Sequence, residues 1–270
     1  MGDQRAAGAD LWEHLLITVA TVNVNGIRAA AGKGLREWLA GTPAGVVCLQ
    51  ETRALPGELP ELPGWHVTLA PAQARGRNGV AVLTRDPPGA VRAELPELPG
   101  QGRYLEVDLP GVTVASVYLP KGGGARAAGT PRQEEKDRYL AAFAEHLGKT
   151  AADGRDMVVA GDFNIAPAEA DLKNWKANLA HSGFLPHERA WMVELTASWT
   201  DTVRALHPGP GPYTWWSYRG RAYDTDAGWR IDHVLATPGL VPRAFTVDRA
   251  PSYAARWSDH APVVVELARP

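Results

Sequence analysis

The sequence predicts an α/β fold in which packed β-sheets carry helices on their outer faces. Short β-branched runs bounded by turn residues outnumber the segments with helical periodicity. The segment Asp108-Leu109-Pro110-Gly111 separates two of these runs and is typical of a hairpin turn, so part of the sheet structure should be antiparallel. A chain of 270 residues is long enough to bury a sizeable core within a single domain.

The apolar runs predict strands at residues 17–24, 45–50, 79–84, 102–109, 112–119, 156–161, 230–236 and 262–267. Helical periodicity is clearest over residues 33–40, about 132–147 and 188–196, and Pro131 stands where the second of these helices would begin. The Pro- and Gly-rich stretches between these elements are short enough to be loops. We therefore predict an N-terminal extension over residues 1–16 and one domain over residues 17–270.

The composition indicates a soluble globular protein without a strong charge bias. The formal net charge is -2, so any contact with nucleic acid must come from a local cluster of basic residues. The single cysteine, Cys48, lies in an apolar run and should be a buried thiol, which favours a reducing cytoplasm. No apolar stretch approaches the roughly 18 residues of a membrane span, and acidic residues occupy the start, where a signal peptide would be basic and then apolar. We therefore expect a cytoplasmic protein.

Polar residues lie at the ends of the apolar strands, or close to one end where Asp232 and His233 interrupt the run from Arg230 to Leu235. Asn23 and Asn25 end the first run with a spacing of two, as Asp162 and Asn164 end a later one, so each pair should leave the same face of an extended chain. The other polar residues at strand ends are Glu51, Tyr118, Asp232, His233, Asp259 and His260. Strand ends are common mounting points for catalytic groups, and these residues would form one site if they meet along one rim.

The chemistry of this set favours a phosphate substrate. It contains the four carboxylates Glu51, Asp162, Asp232 and Asp259, together with carboxamides, the histidine His260 and the tyrosine Tyr118. Hard oxygen ligands with few nitrogens suit Mg²⁺, with Mn²⁺ as a substitute, and argue against zinc. Because a hydrated Mg²⁺ ion neutralises charge on phosphoryl oxygens, the set predicts phosphoester hydrolysis.

Eight segments resemble the ordered motifs of the exonuclease III and apurinic-apyrimidinic endonuclease family. They are VNVNGIRA (22–29), CLQET (48–52), NGVAVLTR (78–85), SVYLPKG (116–122), GDFNIAP (161–167), YTWWSYR (213–219), GWRIDHVL (228–235) and SDHAPV (258–263). The GDFN and SDH segments would fit the whole endonuclease, exonuclease and phosphatase superfamily, whereas YTWWSYR followed by GWRIDH resembles the abasic-site branch.

The resemblance implies a four-layer α/β sandwich of two packed, largely antiparallel sheets with helices outside. It also implies a monomeric DNA-repair phosphodiesterase that cleaves double-stranded DNA 5′ to abasic sites, leaves a 3′-hydroxyl and trims 3′ ends as a 3′-to-5′ exonuclease. For the metal, the family pattern implies Glu51 as the principal ligand, with Asn25 nearby and Asp259 binding directly or through water. Asp162 and Asn164 would complete the metal and water shell.

The catalytic roles also follow from the resemblance. Asp162 is similar to the residue that activates or orients the attacking water, and Asn164 to the one that holds this water or a phosphate oxygen. His260 would hydrogen-bond the scissile phosphate, with Asp232 fixing its ring. Tyr118 would lie near the phosphate as a hydrogen-bond donor or a phenolate. Asn23 would anchor neighbouring carboxylates, while Asp171 resembles a structural acid of the family.

Substrate choice should come from aromatic and basic loops. Trp215, Trp229 and Ile231 resemble the small apolar pocket that accepts a base-free sugar, which has little stacking energy to lose on leaving the helix. Basic residues in these and other loops are candidates for phosphate contacts; we predict DNA binding by Arg219, Lys121 and Arg126, with Arg75, Arg77, Arg221 and Arg230 as further candidates.

The chain departs from the family pattern at two places. Lys121 stands where the family usually has Asn or Gln and is followed by a Gly-rich loop, and Asn25 stands where some relatives have Asp. Two other interpretations stay open. The chain could be a superfamily phosphatase or phosphodiesterase for another phosphoester, whose loops would fail to hold duplex DNA, or a non-catalytic nucleic-acid-binding regulator, which should lack part of the metal or water shell.

Overall fold

The computed structural model describes residues 16–269. This part of the chain contains twelve strands and five α-helices. The strands are β1 (Leu16–Asn23), β2 (Val46–Gln50), β3 (His66–Ala70), β4 (Val80–Thr84), β5 (Val91–Ala93), β6 (Tyr104–Leu109), β7 (Val112–Tyr118), β8 (Met157–Asp162), β9 (Thr200–Asp201), β10 (Asp232–Ala236), β11 (Val241–Val247) and β12 (Val263–Ala268). The α-helices are α1 (Ile27–Ala31), α2 (Leu35–Gly41), α3 (Pro131–Ala152), α4 (Pro186–Thr196) and α5 (Thr202–Leu206).

The strands form two six-stranded sheets. The first sheet has the order β11-β12-β1-β2-β4-β3 and the second the order β5-β6-β7-β8-β10-β9. All neighbouring strands pair antiparallel except β1 with β2 and β7 with β8, one parallel pair near the middle of each sheet. The hairpin predicted at residues 108–111 is confirmed, because Leu109 pairs with Val112 at the turn between β6 and β7.

The chain packs in four layers, as the sequence motifs implied. Val19, Val82 and Val265 of the first sheet meet Val114 and Val158 of the second in the central core. This apolar layer between the sheets is closed to solvent and supplies most of the burial energy that holds them face to face.

Helices cover the outer face of each sheet. Ile27 of α1 and Leu35 of α2 are fully buried against the first sheet. Tyr139 and Phe143 of α3 and Met192 of α4 pack against the second sheet. The outer layers are therefore helical on both sides, which confirms the predicted α/β sandwich.

Several elements had no clear signal in the sequence. Strand β11 has no fully buried residue, contains Pro242 and shifts register between Pro242 and Ala244, and its residues do not alternate regularly between polar and apolar. Strands β3, β5 and β9 and helices α1 and α5 were also not predicted, because they are short or lie at sheet edges. Of the predicted extension over residues 1–16, only Leu16 lies within the described residues, where it begins β1.

Two expectations from composition bear on the fold. Cys48 is a buried free thiol in β2, as predicted. Within residues 16–269, none of the helices has the length and apolar character that a membrane crossing would require.

Candidate active site

The polar strand ends meet at one edge of the sandwich. Asn23 ends β1 and Glu51 follows β2; because these strands are parallel, both residues reach the same edge of the first sheet. In the second sheet, Tyr118 and Asp162 end the parallel strands β7 and β8 and are paired in register. Asp232 begins the antiparallel strand β10 directly opposite Asp162. The two sheets therefore bring the predicted residues together across the central core.

Asn23 links the two sheets at this edge. Its Nδ2 donates to Oε1 of Glu51 at 2.9 Å and to Oδ2 of Asp162 at 3.0 Å, and the side chain is fully buried. The hydroxyl of Tyr118 donates to the same Oε1 of Glu51 at 2.8 Å. The Asn23 Oδ1 accepts from the backbone N–H of Asn25 at 3.0 Å. A single carboxamide thus fixes carboxylates from different sheets, consistent with the anchoring role expected for it.

Asp162 is a buried carboxylate beside a histidine. Its Oδ1 accepts the backbone N–H of Asn164 at 2.8 Å, and the Asn164 side chain in turn donates to the Leu119 carbonyl at 2.9 Å. Burial and the nearby negative charge of Asp232 together raise the pKa of Asp162 to about 7, although the attraction of His260 and hydrogen bonds from Asn23 and Asn164 oppose this shift. A carboxylate with such a pKa can accept a proton near neutral pH.

His260 is held by Asp232 and faces Asp162. Its Nδ1 lies 2.9 Å from Oδ2 of Asp232, while its Nε2 lies 3.8 Å from Oδ2 of Asp162. The Thr214 hydroxyl also donates to Asp232, at 2.6 Å. Burial alone would lower the pKa of His260, but attraction to Asp232 and Asp162 raises it to about 10. The ring is therefore a cation whose Nε2–H can be donated towards the pocket.

Asp259 closes the site on another side. Its Oδ1 accepts from Asn25 Nδ2 and its Oδ2 from the Trp215 indole, each at 3.0 Å. These hydrogen bonds and the charge of His260 lower the pKa of Asp259, although burial opposes the shift. Asp259 is therefore an ionised carboxylate within the site.

Three of the predicted site residues have an unusual backbone conformation. Asn25, Glu51 and Asn164 have φ values of 47°, 52° and 51°, in the left-handed region that side chains with a Cβ rarely adopt. Residues held in this region cluster at functional sites, where the surrounding structure offsets the strain. All three follow a strand directly or by one residue, so the chain turns sharply as it leaves the sheets and directs polar groups to the rim.

The oxygen donors fit a hard divalent cation. Asp162, Asp232 and His260 offer atoms within 4.8 Å of one another, but His260 is protonated and its Nδ1 is bound to Asp232, so this triad is poorly suited to a metal. Glu51 and Asp259 also line the pocket, and both are ionised carboxylates. Carboxylate and amide oxygens suit ions such as Mg²⁺. The residues present therefore fit the predicted metal best on the side of Glu51 and Asp259.

A pocket opens above these groups. It is walled by the predicted aromatic and apolar residues Trp215, Trp229 and Ile231. The Lys121 ammonium lies 5.4 Å from the Trp215 ring centroid at its mouth. His181 and Ser182 also line the pocket, although no sequence motif had singled them out. The pocket therefore combines an indole-lined wall with carboxylates and a cationic imidazole ring, the mixture of apolar walls and few polar groups that is typical of ligand sites.

Other basic residues lie away from the pocket lining. Arg219 and Arg126 are exposed in loops, as are the further candidates Arg75, Arg77 and Arg221. The interpretation of Arg230 as a phosphate contact was wrong. Its side chain is 1% exposed and forms ion pairs with Asp171 at 2.6 Å and Asp201 at 2.8 Å. Asp171 is buried in these contacts, in keeping with the structural role expected for it.

Sequence reasoning missed several residues that position the predicted set. Arg53 forms an ion pair with Glu51. The guanidinium of Arg103 lies 4.7 Å from the Tyr118 ring centroid and donates to the Tyr118 carbonyl at 3.1 Å. The Ser258 hydroxyl donates to the Asn23 carbonyl at 2.6 Å. Ser258 precedes Asp259 in the SDH segment, so its motif was the only available signal.

A buried cation supports the backbone of Asn164. Lys136 of α3 donates from Nζ to the Asn164 carbonyl at 2.9 Å and pairs with Glu188 of α4 at 2.8 Å. A lysine within a helix is normally solvated, so its spacing gave no indication of this contact.

Comparison with known proteins identifies the family of the chain. The sequence profile described as Endonuclease/Exonuclease/phosphatase family matches residues 20–260. An exodeoxyribonuclease of Bacillus subtilis is 33% identical over 247 residues, which cover 89% of this chain and 95% of that protein. Among solved structures, the 3′ phosphatase NExo from Neisseria, bound to a product DNA hairpin, has a TM-score of 0.85 and 31% identity, covering 92% of this chain and 98% of that chain.

A second solved structure is similar over the same extent. The AP endonuclease from Archaeoglobus fulgidus has a TM-score of 0.84 and 28% identity and covers 92% of this chain and 98% of that chain. The family profile, these likenesses and the converging strand ends lead to one assignment. The chain belongs to the endonuclease/exonuclease/phosphatase family, within the exonuclease III and apurinic-apyrimidinic endonuclease branch that its motifs indicate.

Proposed function

We propose that this chain is a Mg²⁺-dependent DNA-repair hydrolase that cleaves the phosphodiester 5′ to an abasic site and trims 3′ ends of duplex DNA. The observation that carries the proposal is the joining of Glu51 and Asp162 by one buried carboxamide, opposite the His260–Asp232 pair and beneath an indole-lined pocket. The relatives include an exodeoxyribonuclease and an AP endonuclease, which supports DNA as the substrate.

The donor set supports Mg²⁺. Glu51, Asp259 and Asn25 would hold the ion, which would neutralise charge on the phosphoryl oxygens and so favour displacement at phosphorus. Tyr118 and Asn23 both donate to Oε1 of Glu51, so they fix the direction of this carboxylate before substrate arrives. A ligand fixed in this way loses little freedom on binding.

Different side chains of the site would transfer the proton and stabilise the negative charge. Asp162 accepts a proton from the attacking water, since its raised pKa makes it a stronger base than an exposed aspartate. Asn164 orients that water or a phosphate oxygen. His260 donates Nε2–H to a non-bridging oxygen on which negative charge grows, while Asp232 retains Nδ1–H. The water oxygen forms a new bond to phosphorus as the bond from phosphorus to the 3′ oxygen breaks. The phosphate stays on the 5′ carbon of the abasic sugar, and the departing 3′ oxygen takes up a proton from solvent to become the 3′-hydroxyl.

The pocket supports selection for a missing base. Trp215, Trp229 and Ile231 form apolar walls that would pack against a deoxyribose turned out of the helix. A nucleotide that retains its base loses stacking energy when it leaves the helix, and its base must also fit into the pocket. An abasic nucleotide has neither cost. We therefore propose abasic duplex DNA as the preferred substrate.

The test is nicking of a labelled duplex that contains one abasic analogue. With Mg²⁺ the unaltered protein should cut 5′ to the analogue, and EDTA should abolish the cut. Glu51→Gln and Asp162→Asn should each slow the reaction by at least about 100-fold. Glu135→Gln, an exposed carboxylate on α3, is the matched control and should keep the full rate.

A metal titration tests separately whether Glu51 binds Mg²⁺. Calorimetry with Mg²⁺ should show weaker binding by Glu51→Gln than by Glu135→Gln, independently of any turnover. Full nicking rates in both site variants would overturn the proposal. Hydrolysis of a small phosphoester without binding of the duplex would instead favour a phosphatase of the same family.

We further propose that residues 17–270 act as one catalytic domain, as a monomer and in the cytoplasm. The buried Cys48 thiol, which burial keeps protonated by raising its pKa, is in keeping with a reducing compartment. Sedimentation of the protein with and without duplex DNA tests the oligomeric state. A dimer in the active complex would contradict it.

A further inference from the structure

A cluster of aromatic and basic side chains lies beside the pocket, largely outside the motifs that predicted the site. Two exposed tyrosines, Tyr218 and Tyr253, meet edge to face with ring centroids 6.3 Å apart and an interplanar angle of 85°. They are 51% and 45% exposed, unusually high values for large aromatic side chains. Tyr253 belongs to the segment 249–257, which precedes the SDH motif and has no assigned role.

Arg256 lies behind this tyrosine pair. Its guanidinium carbon is 4.2 Å from the ring centroid of Tyr253, 4.8 Å from that of Tyr218 and 4.5 Å from that of Tyr223. Its Nη1 donates to the Trp216 carbonyl at 3.2 Å, whereas Nε and Nη2 are buried without a hydrogen-bond partner. Within residues 16–269 no carboxylate forms an ion pair with Arg256, and its guanidinium is held by the three aromatic rings and the Trp216 carbonyl.

The cluster is continuous with the active site. The backbone N–H of Trp216 donates to the Asp259 carbonyl at 3.1 Å, and the Tyr218 side chain lies near that of Asn25. Asn25 itself donates to the Asp259 carboxylate. A strand whose phosphate lies at the carboxylates would therefore pass next to the tyrosine pair.

We propose that Tyr218, Tyr253 and Arg256 form a docking platform for the DNA strand that flanks the scissile phosphate. This inference rests on the proposed function. A polyanion is favoured because the guanidinium is unpaired, and the exposed ring faces match the way proteins hold bases that have left the stack. The chain has a formal charge of -2, so such local clusters must supply the attraction for DNA.

The proposal assigns binding rather than chemistry to the platform. Removing the exposed ring in Tyr253→Ala should raise KM and the Kd for an abasic duplex by about 5- to 20-fold, because loss of one stacking contact reduces affinity in this range. The kcat should stay within about twofold of the original value, since the reacting groups are unchanged. Tyr253→Phe keeps the ring and should restore both constants.

Two arginine substitutions provide the second comparison. Arg256→Gln should weaken duplex binding, whereas Arg243→Gln should not. Arg243 is an exposed arginine on β11. The part of β12 beside it pairs with the start of β1, near Leu16, whereas Asn23 and the active site lie at the other end of β1. A general effect of charge would weaken both variants equally.

The experiment measures fluorescence anisotropy of a labelled abasic duplex in EDTA and steady-state nicking with Mg²⁺, with circular dichroism as a check of folding. If the unaltered protein nicks the duplex but Tyr253→Ala has an unchanged KM and Kd, the platform is overturned while the proposed function stands. If Tyr253→Ala and Tyr253→Phe lose affinity for the duplex equally, the claim that the Tyr253 ring stacks on DNA is also overturned. If the unaltered protein neither binds nor cuts DNA, both proposals fall.

Discussion

The Lys136 ammonium and the Glu188 carboxylate form an ion pair with an N···O distance of 2.8 Å, and both side chains are completely buried. Glu188 also accepts the backbone N–H groups of Gly183 and Leu185 at 2.6 and 3.1 Å, and Lys136 donates to the Asn164 carbonyl. The pair therefore ties α3 and α4 to the segment that lines the pocket and to the residue after the GDF turn.

Replacing Lys136 with Met should destabilise the protein by about 3–5 kcal/mol, because the buried carboxylate loses its counter-charge. Burial lowers the pKa of Lys136 and Glu188 opposes this shift, so the two charges depend on each other. Urea denaturation measures the loss. Adding Glu188→Gln to the same chain should recover part of it. Lys149→Met, which breaks the exposed pair of Lys149 with Glu145, should leave the midpoint unchanged.

Asp232→Asn should lower kcat by about 100- to 10,000-fold with little change in KM. The substitution removes the charge that holds His260 Nδ1–H at 2.9 Å, so the ring loses both its orientation and the attraction that keeps it protonated. Steady-state nicking of the abasic duplex measures both constants. Asp86→Asn, at an exposed position after β4, should match the unaltered protein. An Asp232→Asn enzyme with normal kcat would contradict the role given to His260.

Trp229→Ala should reduce the preference for abasic over intact duplex by about tenfold, since a wider pocket no longer excludes a base. Trp229 lines the pocket, and its backbone pairs with that of Trp215 through two hydrogen bonds of 2.9 Å. The ratio of kcat/KM for the two duplexes is the measurement. Trp175→Ala removes another partly buried indole of the same apolar cluster that does not line the pocket. This control should leave the ratio unchanged.

Glu106→Gln should make the free energy of unfolding less dependent on pH in the acid range. Burial alone would raise the pKa of Glu106, but hydrogen bonds from His146, Tyr104 and Arg92 lower it from 4.5 to about 2. A carboxylate whose pKa falls on folding stabilises the protein at every pH above the pKa that it has in the unfolded chain. This stabilisation disappears as the pH falls from 4.5 towards 2. The variant should therefore be about 2 kcal/mol less stable near neutral pH.

Denaturant titrations across this window check the sign. The difference between the unaltered protein and Glu106→Gln should shrink to about half or less by about pH 3. The exposed variant Glu135→Gln should show no such convergence. A difference that grows as the pH falls would contradict the assignment.

Gly161→Ala should destabilise the protein by at least about 2 kcal/mol and lower nicking, although no functional group is removed. A Cβ at this position would overlap the Val117 carbonyl of the neighbouring strand, so β8 must move just before Asp162. Gly148→Ala is the matched control, because a Cβ on that helical glycine meets nothing within 4 Å. It should raise stability by about 0.5–1 kcal/mol. Equal unfolding midpoints for the two variants would contradict this account.

The sequence predicted the sandwich and the rim because both depend on local patterns. The apolar run at 156–161 forms β8, which is buried on both faces, and the polar residues Asp162 and Asn164 lie at its end, where the chain leaves the sheet. Placing them at strand ends therefore needed no knowledge of distant contacts. The shared two-residue spacing of Asn23 with Asn25 was informative for the same reason.

What could not be predicted depends on partners distant in sequence. Arg230 lies in an aromatic loop motif typical of solvated contacts, but its partner Asp171 is 59 positions away and draws it into the interior. Lys136 occupies a helical position that reads as polar, and only the packing of α3 against α4 buries it. Edge strand β11 lacks alternation because solvent, not the core, faces much of it.

The position of Asn23 between the sheets has a consequence for how the chain acquires its activity. Its two amide hydrogens reach carboxylates that belong to separate halves of the sandwich, so neither half alone holds a complete set of reacting groups. A nascent or partly denatured chain in which the halves have not yet docked therefore lacks the complete site. We expect cleavage of DNA to require the docked sandwich.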